Sequence, residues 1–302
     1  MKRTAEQAYQ IRVASRFAAF SCILCVGILA ETIDSQYRAE VERWRQDREA
    51  ALKADGGWLT VTGLFWLKEG SNTLGSDAAN DILLPEGSPE RFGDLQVKDG
   101  KVLFVSADAS VRYNGKPVDR AEIRPVGPDV LSSGAIQLLV IKRGDRLGLR
   151  LKDNNSQLRK HFTHLSWYSV AEDWRISARF VPAPSPTKIV FDTIIGGQEE
   201  SNSPGFVEFE RDGKTYRLQA AGEGRRLFFV IRDQTSGRQT YAASRFLYAD
   251  APKDGTVILD FNKAENPPCA FTPYATCPLP PPQNRLPIAV TAGEMKYEGS
   301  SH

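Results

Sequence analysis

The sequence predicts a mainly β chain: two consecutive β-sandwich or barrel units led by one amphipathic helix. Three observations carry this reading. Beyond Trp58, short runs rich in Val, Ile, Leu, Phe and Tyr follow one another at close spacing, at 58–67, 101–107, 136–143, 147–151, 174–181, 188–195, 206–211, 215–221, 226–232 and 256–261. Turn-forming clusters separate them, among them Lys98-Asp99-Gly100-Lys101, Asn114-Gly115-Lys116-Pro117 and Arg211-Asp212-Gly213-Lys214; Gly, Asn and Asp are the residues that accept the positive φ of tight hairpins. No run with a helical period comparable to that before Gly56 recurs later in the chain.

In chain order, the first element is a leader. Lys2, Arg3, Arg12 and Arg16 stand against a single acid, Glu6, and Phe17 to Ala30 carries no charge. Fourteen helical residues reach about 21 Å, short of a bilayer's hydrocarbon core. A basic start, a short apolar stretch and a small final residue match an export signal over 1–30, with a short uncleaved anchor as the alternative. Removal of the leader leaves 35 basic and 36 acidic residues out of 39 and 37. The mature surface is then near neutral, which argues against nucleic acid as a partner and leaves a membrane only through an uncleaved N-terminal segment.

Residues 31–57 read as the amphipathic helix. Tyr37, Val41, Trp44 and Ala51 fall near one face, Asp34 or Ser35 stands at its start, and Gly56-Gly57 closes it. The first β unit follows at 58–152, and the polar stretch Lys152-Asp153-Asn154-Asn155 marks the passage to a second at 153–302.

Within the first unit, Leu74-Gly75-Ser76-Asp77 precedes Asn80-Asp81-Ile82-Leu83-Leu84, then come Asn114-Gly115-Lys116-Pro117-Val118 and Leu131-Ser132-Ser133-Gly134. From Gly63 to Leu151 this resembles a forkhead-associated (FHA) sandwich. In that family an arginine sits beside the first glycine and a Ser-x-x-His pair reads phosphothreonine. Here Ser76 takes the arginine's place and Ser88-Pro89-Glu90-Arg91 ends in Arg, so a phosphate dianion lacks its charge-assisted grip. The resemblance implies architecture.

The second unit contains the densest stretch. Eight of the chain's 18 prolines lie between Pro267 and Pro287, inside a loop spanning 262–287. Proline removes a backbone donor, so this segment cannot pair as a strand throughout. It nevertheless carries Cys, Phe, Tyr and Leu, and it lies between Val257-Ile258-Leu259-Asp260-Phe261 and a further apparent strand, Ile288-Ala289-Val290. That composition predicts a packed loop rather than a linker.

Asp260-Phe261-Asn262, Asn266-Pro267-Pro268-Cys269-Ala270-Phe271, Cys277-Pro278-Leu279-Pro280-Pro281-Pro282, Asn284-Arg285-Leu286-Pro287 and Ala292-Gly293-Glu294 resemble the signature of DUF1684, a bacterial and archaeal family of unknown function. Gly57-Trp58-Leu59, Asp233-Gln234-Thr235 and Arg245-Phe246-Leu247 fit the same pattern, while Ser244 and Glu265 depart from the Gly and Tyr usual there. The resemblance spans nearly the whole mature chain and implies no activity.

Read as chemistry, Arg245, Asp260, Asn262, Asn266, Arg285 and Glu294 have two destinations. They could converge on an anionic or sugar-like small molecule, Arg supplying bidentate geometry and Asn orientation. Equally, they could pin a loop poor in backbone donors and rich in stranded carbonyls. Cys269 and Cys277 are eight apart and stand as a disulfide or as buried free thiols. With no His or third Cys nearby they make no zinc site, and no metal is expected. His161 and His164 do not form a regular ligand pair. No Gly-x-Ser-x-Gly, His-Glu-x-x-His, Walker loop or helix-opening Gly-x-Gly-x-x-Gly occurs, and no cofactor is implied. The expectation is an exported binding or scaffold protein with a small-molecule or protein partner. The alternative is a hydrolase or lyase using Asp260 or Glu294 as general base.

Overall fold

The computed structural model describes residues 35–222 and 225–299; the expected leader lies outside them. The first helix, α1, occupies 35–53, with an Arg45–Glu42 ion pair at 3.0 Å one turn apart. Among the described residues, those up to Asp47 group apart from those from Arg48 onward. Among the described residues no helix is long and apolar enough to cross a membrane.

The chain is mainly β. Its first half opens on β1 (Val61–Trp66), β2 (Thr73–Gly75), β3 (Ile82–Leu83), β4 (Gly93–Lys98), β5 (Lys101–Ser106) and β6 (Arg112–Tyr113). It continues with β7 (Lys116–Pro117), β8 (Arg120–Ile123), β9 (Leu131–Ser133), β10 (Ile136–Arg143) and β11 (Arg146–Asp153). They form two sheets, ordered β1-β11-β10-β9-β6-β7 and β3-β2-β4-β5-β8.

Alternation decides which side chains face inward. Leu95 and Val97 of β4, Leu138 and Val140 of β10, and Leu147, Leu149 and Leu151 of β11 meet Phe92 and Phe104 in one shared core, which makes the pair of sheets a sandwich. The two-residue turns are the ones the composition demanded: Asp99 and Gly100 have φ 50 and 75, Asn114 and Gly115 have φ 48 and 79, the double positive φ of a type I′ hairpin.

The same alternation turns Arg146, Gly148, Arg150 and Lys152 of β11 to the outer face of the first sheet. There the Arg146 guanidinium stacks on Trp66 at 3.6 Å and that of Arg150 lies over Trp58 at 4.9 Å. Part of this face is covered by the second half: Thr272 Oγ1 donates to the Val61 carbonyl (3.0 Å), and Arg143 Nε donates to Thr276 Oγ1 (2.6 Å).

The second half begins with α2 (Gln157–His161), capped by Ser156, whose Oγ accepts from Arg159 N at 3.2 Å. Strands β12 (Arg175–Asp192), β13 (Gln198–Arg211), β14 (Lys214–Ala220), β15 (Arg226–Ile231), β16 (Arg245–Asp250) and β17 (Thr256–Asp260) follow. They make a sheet ordered β14-β13-β12-β17 and a ribbon β15-β16. Phe209, Phe229, Leu247, Leu259, Phe261 and Val290 share their core. The prolines inside β12 fall where its register with β13 slips, between Pro182 and Thr187, which is where a ladder tolerates missing donors.

After β17 the backbone runs through 3-10 turns at Phe261–Lys263, Pro268–Ala270 and Pro282–Asn284. The strand expected at Ile288-Ala289-Val290 does not form. Val290 N instead donates to Asp233 Oδ1 (3.2 Å), a side chain standing in for a neighbouring strand. The segment is packed all the same, with Phe271, Ala275, Cys277, Leu286 and Val290 buried.

Candidate functional site

Arg245 is fully buried at the start of β16. Its Nη1 donates to the Ala292 carbonyl (2.5 Å), and its Nη2 donates to Asp233 Oδ2 (2.5 Å) and the Val290 carbonyl (3.0 Å). Asp233 Oδ1 in turn accepts from the N–H and hydroxyl of Thr235, at 2.8 and 2.7 Å. This guanidinium therefore holds two stranded carbonyls and a turn, and presents no bidentate face to a ligand.

Asn262 works in the same way. Its Oδ1 accepts from Ala171 N (2.9 Å) while its Nδ2 donates to the Ala171 carbonyl (2.8 Å). Asn284 does so at Gln219, at 2.7 and 3.0 Å. Each amide satisfies both backbone groups of one residue, as a paired strand would. Asp260 Oδ1 accepts from Asn262 N at 3.2 Å, and its Oδ2 lies 3.6 Å from Lys263 Nζ. Arg285 is exposed and donates to the Pro280 carbonyl at 3.3 Å. The six sequence-predicted residues thus do not converge on one ligand-facing surface: Arg245 and Asn262 are consumed internally, and Arg285 faces solvent.

A different cluster gathers around Glu294. Gly293, at φ 83, lets the chain pass so close to the Ala264 and Phe261 carbonyls that a Cβ would stand 2.5 and 2.7 Å from them. Glu294 N then donates to the Ala264 carbonyl at 2.8 Å. The Glu294 side chain is fully buried, and Arg48 Nε lies 3.5 Å from both its Oε2 and that of Glu265. Arg48 Nη2 donates to the Asn266 carbonyl (2.9 Å), and Asn266 Nδ2 donates to the Met295 carbonyl (2.7 Å). Glu294 Oε1 and Asn266 Oδ1 are buried acceptors without a hydrogen-bond partner among the described residues.

Burial pushes the Glu294 carboxyl up to about 7; Arg48 opposes the shift and the Glu265 carboxylate adds to it. Glu265 is raised by burial as well, and Tyr248 is pushed up to about 12 by burial and by Glu265. One guanidinium between two carboxylates in a dry setting leaves a proton on the pair near neutrality.

Cys269 and Cys277 are buried thiols not joined as a disulfide, with Cys269 N donating to Cys277 Sγ at 3.2 Å. The hydrogen bond between the thiols lowers the pKa of Cys269 and raises that of Cys277. Both pack in the cluster that includes Trp58, under the Arg150 guanidinium. Arg150 Nε and Nη2 have no hydrogen-bond partner among the described residues, and burial pushes its pKa down to about 10. His161 and His164 are both exposed. In the first sandwich Ser76 Oγ donates to the Ser88 carbonyl (2.9 Å), and the depression holding Arg91 also holds Asp77 and Asp94, two carboxylates that repel a phosphate.

A family model described as "Protein of unknown function (DUF1684)" matches residues 160–295. The solution NMR structure of an uncharacterised protein of Haloarcula marismortui is 33% identical, over 45% of this chain and 78% of that one, with a TM-score of 0.39. The chain belongs to the DUF1684 family. A solved FHA domain from a study of phosphothreonine-dependent FHA interactions is 18% identical over 30% of this chain and 92% of its own, with a TM-score of 0.22. The FhaA FHA domain, solved in complex with the intracellular domain of Rv3910, is 18% identical over 29% of this chain and 96% of its own, also at 0.22. No functionally curated protein matches.

The DUF1684 match contains Asp233, Arg245, Asp260, Asn262, Asn266, Cys269, Cys277, Arg285 and Glu294. It does not contain Arg48 or Arg150, which reach the family segment from α1 and β11. Sequence reasoning missed both because nothing local marks a helix-face or strand arginine as a partner of residues more than a hundred positions away. Asp233, Glu265 and Asn284 stood inside quoted motifs but carried no sign of their roles.

Proposed function

We propose that this member of DUF1684 is an exported binding or scaffold protein, in which the Pro-rich segment is a rigid frame for a binding surface. The observation that carries the reading is the internal use of both terminal nitrogens of Arg245 and of the Asn262 and Asn284 amides. Residues of types that grip ligands are spent on the backbone groups of Ala171, Gln219, Val290 and Ala292. Export is supported by the basic start and uncharged stretch of 1–30. In an oxidising compartment, the adjacent Cys269 and Cys277 thiols would close as a disulfide over residues 270–276.

The test is a thermal-shift screen of the full chain against sugars, carboxylates, nucleotides and metals, repeated with Arg245→Ala. A ligand at 100 times its dissociation constant adds about 2.7 kcal/mol of stability. The reading expects such a response from the wild type, and expects Arg245→Ala to lower the unliganded melting temperature. A variant that folds as stably as wild type yet loses only the ligand response would overturn the frame role.

The hydrolase or lyase reading draws on Glu294, a fully buried carboxyl that burial pushes up toward neutrality, where a general acid or base works best. Arg48 is then the group beside it, in place of Arg285. Turnover on an ester, amide or glycoside panel that disappears in Glu294→Gln would select this reading.

A further inference from the structure

A cleft of about 430 Å³ opens where the end of β11 and the start of α2 face residues 271–274 of the Pro-rich segment. Its walls include Thr62, Asp153, Asn155, Gln157, Thr272 and Tyr274. The backbone beneath both walls is tied down. Asp153 Oδ1 accepts from Asn155 N (2.7 Å), and the buried Ser156 hydroxyl donates to the Leu59 carbonyl (2.6 Å). Thr272 Oγ1 donates to the Val61 carbonyl and accepts from Tyr274 N (3.3 Å).

The side chains above that frame are unspent. Asn155 and Gln157 are exposed, and among the described residues their amides make no hydrogen bond. Tyr274 is 39% exposed, an aromatic residue on the cleft wall that is open to solvent. Thr62 Oγ1, on the cleft wall, is buried without a hydrogen-bond partner. A cleft with a prepared floor and free polar groups above it is what a small-molecule site needs.

The lining selects the ligand class. It holds no Lys or Arg, and its one charged residue is Asp153, so an anion meets only repulsion. Carboxamides offer a donor and an acceptor side by side, the spacing of neighbouring hydroxyls on a sugar ring. An open tyrosine face packs against the C–H face of such a ring while its hydroxyl stays wet. We infer that this cleft binds an uncharged polyhydroxylated ligand, a mono- or oligosaccharide, with Tyr274 as the platform and Asp153, Asn155 and Gln157 reading its hydroxyls. The inference rests on the binding-protein reading and names its site and ligand class.

The test uses calorimetry on the full chain with maltose, cellobiose, N,N′-diacetylchitobiose and their monosaccharides, beside a carboxylate set and an amine set. The expected result is saccharide binding that weakens roughly tenfold in Tyr274→Ala and in Asn155→Ala, about 1.4 kcal/mol each. Both residues are exposed, so the unliganded melting temperature should stay at the wild-type value. Saccharide binding unmoved by either variant, or binding of only the carboxylates or amines, overturns the cleft assignment while sparing the binding-protein reading. No response to any of the three sets overturns the assignment and counts against the reading as well.

Discussion

At the scale of single residues, two buried charged groups dominate. Arg245 and Asp233 are both wholly buried and face one another at 2.5 Å. Taking one partner from such a pair leaves an uncompensated charge, which costs about 3–5 kcal/mol. Arg245→Ala should therefore lose that much in urea unfolding, with Val290 and Ala292 set loose. Glu294 acts through protons. Its folded pKa is about 7 against an ordinary 4.5, so the folded chain holds more protons than the unfolded one between those values. Stability then falls as pH rises: the contribution is complete below about 4.5 and lost as pH climbs through about 7. For a shift of this size the loss is on the order of 3 kcal/mol. Unfolding free energies measured from pH 4.5 to 8 should show the decline, and Glu294→Gln, neutral at every pH, should flatten it. A rise across that window would contradict the protonated-pair description.

At the scale of elements, the Pro-rich segment takes the place of a strand. It lacks donors, so its neighbours are held by side-chain amides and by isolated bridges such as Thr193 with Pro278 and Phe246 with Glu265. The two thiols sit at the base of the turn that carries Phe271 and Tyr274. Closing that short loop as a disulfide adds roughly 2–3 kcal/mol by restricting the unfolded chain. Purified under oxidising conditions, the chain should melt higher than after reduction, and Cys269→Ser with Cys277→Ser should abolish the difference. Equal melting temperatures in both states, with two titratable thiols after unfolding, would leave the pair as buried free cysteines.

At the scale of the molecule, the two β halves beyond Arg48 share more than a linker. Thr272 and Thr276 bond to β1 and to Arg143, the Arg143 guanidinium pairs with Glu199 at 3.0 Å, and Trp58 packs with Phe271 and with the thiol cluster. Two β halves joined this way should unfold together. Calorimetry should give a single transition from these halves, with calorimetric and van't Hoff enthalpies in agreement. Two resolved transitions would show that the contact face is too weak to couple them.

Local physics was enough for part of this protein. Alternating apolar residues and Asp-Gly or Asn-Gly pairs specify strands and hairpins by themselves, because pleat and positive φ are properties of a few adjacent residues. For the same reason, the prolines of 262–287 showed that the segment would be packed and not laddered. Which polar side chains remain available is a property of distant neighbours. Arg245 looked like a ligand residue until Val290 and Ala292 claimed it. Arg285 looked equivalent until its turn faced solvent, and Glu294 acquired its raised pKa from burial and from Glu265, against the pull of Arg48, only when the chain closed. Burial and electrostatic pairing depend on three-dimensional distance, so the tertiary structure alone decided which of these groups holds the frame and which are left for a ligand.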